Sequence, residues 1–173
     1  MTETYDSIAE RYDARYDNQE CHNEDKHLFE ELKPYATGSI TDIGAGTGLL
    51  LDWLDVQPHN YNGSDPSIGM ITQLHRKHPN HPVSLAPYEL TPPHNTKLTV
   101  SLNGSPSYID PKCYGRLTSA SQYLYMFYKP GYFPDFDDPA SVKTDHHLVH
   151  NLFVYTYEYK QFTVATNLMI RLK

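Results

Sequence analysis

The chain has 173 residues, of which 39% are hydrophobic, 20% charged and 13% aromatic, a composition that fits one globular domain and excludes a disordered chain. The net charge of −7 resides entirely in residues 1–31, where ten acidic residues stand against three basic ones; that front end opposes phosphate backbones and reads as a solvated helix face. No apolar run approaches the ~20 residues of a membrane span, no signal or transit character opens the chain, and Cys21 and Cys113 have neither metal nor redox spacing. A reducing, cytoplasmic setting is therefore expected.

In chain order, Tyr5, Ile8, Tyr12 and Tyr16 share one face of an expected helix over residues 5–16. A second helix is expected over residues 25–35, with Leu28, Phe29 and Leu32 turned inward and Pro34 and Gly38 closing it. Ile40 and Ile43 then bracket Asp42 in a short β-branched run, the signature of a buried strand. Gly44-Ala45-Gly46-Thr47-Gly48 follows at once, and Leu49 to Leu54 read as a helix. A strand, a glycine turn and a helix in succession gather backbone N–H groups at one spot, which suits an anion or a closely approached nucleotide. A second short strand ends at Asp65, and Pro66 opens a helix whose apolar face is Ile68, Met70, Ile71 and Leu74.

His75, His78 and His81 occupy a polar helix end broken by prolines, with no acidic ligand nearby, so no metal site is expected there or elsewhere. Residues 82–86 read as a third strand, 87–93 as a loop, and Leu98 to Leu102 as a fourth strand, with Asn103 to Tyr108 emerging at its carboxyl end. In a doubly wound sheet, that edge beside the first strand is where ligands bind. Ser121 to Tyr128 alternates as a fifth strand. His146 and His150 stand i, i+4, but their stretch reads as leading into a strand, where such residues lie ~13 Å apart. Two closing strands are expected at 148–155 and 162–172, with a break at 156–161.

The glycines at 44, 46 and 48 spell G-x-G-x-G; the dinucleotide fingerprint needs its third glycine at position 49, which is Leu49, and no P-loop Lys follows. Asp65 lies 21 residues beyond Gly44, close to the offset at which an acidic residue meets a ribose. Asp42-Ile-Gly-Ala-Gly-Thr-Gly48 followed by Gly63-Ser-Asp-Pro-Ser-Ile-Gly-Met70 resembles the class I S-adenosylmethionine-dependent methyltransferases. The resemblance covers the whole chain in outline and is specific at residues 42–48 and 63–70.

It implies an α/β fold: a three-layer, doubly wound Rossmann-like sheet, mostly parallel, with an antiparallel C-terminal strand. One domain would span 1–173, with a helical lid at 1–35 and the core at 36–173. The implied cofactor is S-adenosylmethionine. Gly44, Ala45 and Gly46 would hold its methionyl end with Asp42 near the ammonium, and Asp65 would accept the ribose hydroxyls. Pro66 and Met70 would flank the adenine. Ser101, Leu102 and Asn103 would lie near the sulfonium, and the lid tyrosines Tyr5 and Tyr12 would close over the site.

Two departures from the family pattern stand out. The acidic or amide residue that usually meets the adenine amino group is missing after the third strand, so Tyr88 or Glu89 must stand in. Ser105-Pro-Ser-Tyr108 approaches the D/N/S-P-P-Y/F/W motif of base methylases but has Ser107 at its third position. Tyr108, His147 and His150, with Tyr12, are the candidates for proton transfer. The implied partner is a small-molecule methyl acceptor rather than a nucleic acid or a membrane, and the oligomeric state is left open. A cofactor-binding protein without catalysis, a nucleic-acid base methylase and an aminopropyltransferase remain as other readings of the same fold.

Overall fold

A computed structural model describes residues 4–90 and 95–173. Its sheet has seven strands in the order β3-β2-β1-β4-β5-β7-β6, formed by β1 (Ile40–Ile43), β2 (Tyr61–Asp65), β3 (Val83–Leu85), β4 (Leu98–Ser101), β5 (Gln122–Tyr128), β6 (Tyr155–Tyr159) and β7 (Phe162–Thr166). Strands β1 to β5 are mutually parallel, β7 runs antiparallel to β5, and β6 antiparallel to β7. The first two registers place Asp42 opposite Gly63 on one side and Val100 on the other. The chain reverses direction across the sheet between β1 and β4, which opens a crevice at their carboxyl ends.

Every residue of β1 and β4 is buried, as central parallel strands covered on both faces require. The alternation of β5 divides the core. Leu124, Met126 and Tyr128 face the layer that holds Leu28, Phe29 and Leu32 of α2 (Gln19–Leu32) and Leu50 and Leu51 of α3 (Leu49–Trp53). Tyr123, Tyr125 and Phe127 face Tyr114 and Leu117 of α5 (Tyr114–Leu117) and Val149 of α6 (His146–Leu152). A smaller cluster joins Ile8 and Ala9 of α1 (Tyr5–Tyr16) to Met70 of α4 (Ile68–Lys77) and to Phe136. Each fully buried large apolar side chain contributes about 1.5–3 kcal/mol, so the sheet and its two layers carry most of the stability. Among the described residues no helix is long and apolar enough to cross a membrane.

Several expectations need correction. His146 to Leu152 is a helix, not the start of a strand, because Asp145 caps it by accepting from the Leu148 N–H at 2.9 Å. Val149 and Phe153, one turn apart, bury the same face. The strand after it therefore starts at Tyr155, where it was expected to end, and the reversal falls at Lys160-Gln161, with Lys160 at φ +50°. β7 stops at Thr166, and Leu168, Ile170 and Leu172 continue into the core without strand pairing. α2 also begins six residues earlier than its apolar face suggests, since Asn18 accepts from the Cys21 N–H. Of the loop expected at 87–93, residues 91–93 lie outside the described residues, and Tyr88 to Leu90 form a 3-10 turn.

Candidate active site

A cavity of about 430 Å³ opens at the carboxyl ends of β1, β2 and β4, walled by the Gly44–Thr47 turn, Asp65, Met70, Asn103 and Tyr108. Its size falls in the range of small-molecule and cofactor sites, ~300–1,000 Å³. The turn is fixed from below: Gly44 and Ala45 both donate to the Ser64 carbonyl, at 2.8 and 3.0 Å. Gly46 adopts φ +56°, and a Cβ built there would meet no protein atom nearer than the Gly44 carbonyl at 4.0 Å. The backbone at Gly46 is therefore open on the side where a side chain would stand, as a close-bound ligand requires.

Asp65 is 7% exposed, and its carboxylate is gripped from both ends. Oδ2 accepts from the Gly46 N–H at 2.9 Å and Oδ1 from the Ser67 N–H at 2.8 Å. Burial pushes its pKa up, while those two hydrogen bonds pull against the rise. Each oxygen spends one lone pair on the backbone and keeps another for a ligand. Beneath it, Asp42 is 3% exposed and accepts from the Tyr61 hydroxyl at 2.9 Å. Burial pushes the Asp42 carboxyl up to about 7, partly offset by the Tyr61 bond and reinforced by the charge of Asp65. A cation placed beside this acid would ionise it.

Over the cavity lies α1, held by polar contacts as well as by the apolar cluster of Ile8, Ala9, Met70 and Phe136. Asp6 accepts from the Ser67 hydroxyl at 2.6 Å and the Gly69 N–H at 2.8 Å, which holds its carboxyl below the usual range. Asp13 accepts from the Thr47 hydroxyl at 2.5 Å and pairs with Lys77 at 3.0 Å. The two helices touch at Gly69, where an added Cβ would lie 3.0 Å from both Ala9 Cβ and Asp6 Cα. Tyr5 reaches across to Tyr108, hydroxyl to hydroxyl, at 3.0 Å. Burial raises both phenols well above their ordinary value, so each stays neutral and acts as a hydrogen-bonding group rather than a base.

A scan against protein-family models matches nothing, and a search of curated proteins finds no relative. Solved structures do match. The DhpI–SAH complex superposes with a TM-score of 0.64 at 16% identity, over 94% of this chain and 91% of that one. A TehB-like SAM-dependent methyltransferase from Corynebacterium glutamicum gives 0.60 at 13% identity, over 92% and 96%. The sugar N-methyltransferase KedS8 from Streptoalloteichus gives 0.51 at 23% identity, over 78% and 58%. The chain has the class I methyltransferase fold. It spans 60% of Streptomyces venezuelae DesVI and 58% of KedS8, so it is shorter than part of the set it resembles.

On this methyltransferase fold, most expected site residues converge. Tyr5, Tyr12, Asp42, Gly44, Ala45, Gly46, Asp65, Pro66, Met70, Glu89, Leu102, Asn103 and Tyr108 all line the cavity. Glu89 also accepts from the Asp110 N–H at 2.7 Å, and Tyr88 packs under the Arg116 guanidinium at 4.8 Å. Three expected residues are elsewhere. Ser101 is fully buried and donates to the Ile43 carbonyl at 2.8 Å, because its position in β4 points it between strands. His147 and His150 do not line the cavity; they sit exposed on α6, bonded to Asn151 and Thr156. That helix packs on the opposite layer of the sheet, which takes both imidazoles out of the site.

Sequence reasoning missed Ser67, which caps α4 through the Met70 N–H at 3.1 Å while binding Asp65 and Asp6. A serine two residues after the acidic one and just ahead of an apolar helix was the available signal. Thr47, Asp13 and Gly69 were missed as well, since their partners lie 34 or more residues away. Asp137, Ser141 and Lys143 line the cavity from an irregular segment with no periodicity to read.

Proposed function

We propose that the protein is an S-adenosylmethionine-dependent methyltransferase that acts on a small molecule by in-line transfer. The observation that carries this reading is Asp65: a buried carboxylate, fixed by two backbone N–H groups, at the rim of an open glycine turn on this fold. The open backbone at Gly46 and the raised carboxyl of Asp42 fit a ligand with an ammonium group at its far end.

In this reading Asp65 accepts the two ribose hydroxyls, Pro66 and Met70 flank the adenine, and Glu89 or Tyr88 stands at its edge. The turn's backbone, open at Gly46, and the Asp42 carboxylate hold the amino-acid end. When bound, the cofactor supplies an electrophilic methyl group on a sulfonium. The chain's own work is then alignment and exclusion of water, done by the α1 lid through Tyr5 and Tyr12 and by the Asn103 loop. Tyr108, neutral and hydrogen-bonded to Tyr5, orients an acceptor and does not deprotonate it.

The test is incubation with methyl-labelled cofactor and, separately, a pool of small metabolites, DNA and RNA. Label is expected only in the small-molecule fraction. Salt-sensitive labelling of nucleic acid alone would overturn the small-molecule reading, and no labelling of any fraction would overturn catalysis.

A further inference from the structure

A second cavity, of about 630 Å³, adjoins the first, and Tyr12, Thr47, Leu49 and Asn103 line both. Its wall is built from the end of α1, the start of α2, the end of α3 and the residues after β5. One property sets it apart from the cofactor cavity, which five carboxylates and four tyrosines also line: among the described residues it has no counterpart of Lys143. Five carboxylates line it (Asp13, Asp17, Glu24, Asp25 and Asp52), and among the described residues no lysine or arginine does. Aromatic rings make up much of the remaining wall, with Tyr12 against Tyr16 at 5.1 Å and Tyr128 against Tyr132 at 5.2 Å, centroid to centroid.

Most of these carboxylates already have partners. Asp13 and Asp52 share Lys77, Asp52 also holds His78, Glu24 pairs with Lys160, and Asp17 with His22. Asp25 has no hydrogen-bond or ion-pair partner among the described residues. Burial first, and then the neighbouring Glu24, push its carboxyl up to about 6, while the nearby His22 pulls it down. A half-buried acid with no ion pair of its own, in a cavity of carboxylates and aromatic faces, is a ready site for an ammonium group, which gains from both charge and ring.

We propose that this second cavity is the acceptor chamber and that it takes a small aliphatic amine bearing a second, charged ammonium group. The inference rests on the methyl-transfer reading above. The ammonium sits against Asp25 and the tyrosine rings, and a neutral amine nitrogen lies at the wall shared with the cofactor cavity. That nitrogen's lone pair forms the new N–C bond while the C–S bond breaks. Both electrons of the broken bond stay on sulfur, which becomes a neutral thioether, and the methylated nitrogen then loses its proton to water. The acidic front end of the chain thus supplies the substrate wall as well as a solvated surface.

The experiment is a calorimetric titration of 1,4-diaminobutane, with 1,4-butanediol as its neutral isostere, into protein with and without saturating S-adenosylhomocysteine. Wild type and Asp25→Asn are compared. The diamine should bind at least about tenfold more tightly than the diol, and Asp25→Asn should remove most of that preference without changing diol or S-adenosylhomocysteine binding. Removing an unpaired buried charge does not threaten folding, and a melting curve checks that. Equal binding of diamine and diol, or wild-type diamine binding by Asp25→Asn, would overturn the proposal. Loss of the methyl-transfer reading looks different: S-adenosylhomocysteine would fail to bind while the Asp25-dependent diamine preference survived.

Discussion

The glycine turn at 44–48 grows from a strand buried along its whole length and paired on both sides, and its N–H groups are tied to the next strand. The helix that covers it, α1, fully buries only Ile8 and Ala9 and is fastened by Asp6 and Asp13 to groups on α4 and the turn. Floor and lid therefore answer to different perturbations. The floor keeps its shape through backbone pairing that no single side chain controls. The lid depends on a few mostly part-buried, charge-assisted hydrogen bonds, a small apolar cluster and one close helix contact, so opening it would not require unfolding the sheet.

That contrast is sharpest at Asp65, the side chain of the floor that would hold the ribose directly. Asp65→Ala should lose a partly buried, charge-assisted pair of hydrogen bonds, on the order of 2–4 kcal/mol of S-adenosylhomocysteine affinity by calorimetry, and leave the sheet folded. Gly69→Ala comes next. Its methyl would lie 3.0 Å from Asp6 Cα and Ala9 Cβ, so α1 must retreat. Overpacking of this kind costs about 1–3 kcal/mol. Here it should appear as faster hydrogen exchange across α1 and weaker ligand binding, with exchange in β1 and β4 unchanged. If exchange speeds up equally in lid and sheet, the distinction between them is lost.

The floor was legible in the sequence because every one of its signals is local. The β-branched run 40–43, the three glycines and the spacing to Asp65 all fall within 26 residues, and each has one structural meaning. The lid was legible as a helix through its tyrosine face, but its anchors were not, because Asp6 meets Ser67 across 61 residues and Asp13 meets Thr47 across 34. The histidines of α6 show the opposite failure. Their i, i+4 spacing was seen, but without the Asp145 cap the stretch read as strand, and nothing local told which layer it would join. The second cavity was invisible for the same reason, since its acidic and aromatic walls come from five separate segments.

A smaller effect separates floor from lid by pH. Asp42 sits at about 7 instead of its ordinary 3.8, because burial penalises its charge. The folded chain therefore holds a proton that the unfolded chain has lost, and this group's contribution to stability falls as pH rises from ~4 to about 7. A ligand ammonium favours the carboxylate, so binding should release a proton below that pH. Affinity should rise about fivefold between pH 6 and 7 and then level off. Calorimetry in buffers of different ionisation enthalpy measures the released proton, and Asp42→Asn should abolish it. An unchanged proton release in Asp42→Asn would assign the titration to another group.

The structure of the protein crystallised with S-adenosylhomocysteine tests the central claim most directly. The account predicts the ribose hydroxyls on Asp65, the amino-acid end over Gly44 to Thr47 beside Asp42, and the sulfur facing the wall of Tyr12 and Asn103 that the two cavities share. A ribose bound away from Asp65, or a ligand seated only in the acidic cavity, would contradict it.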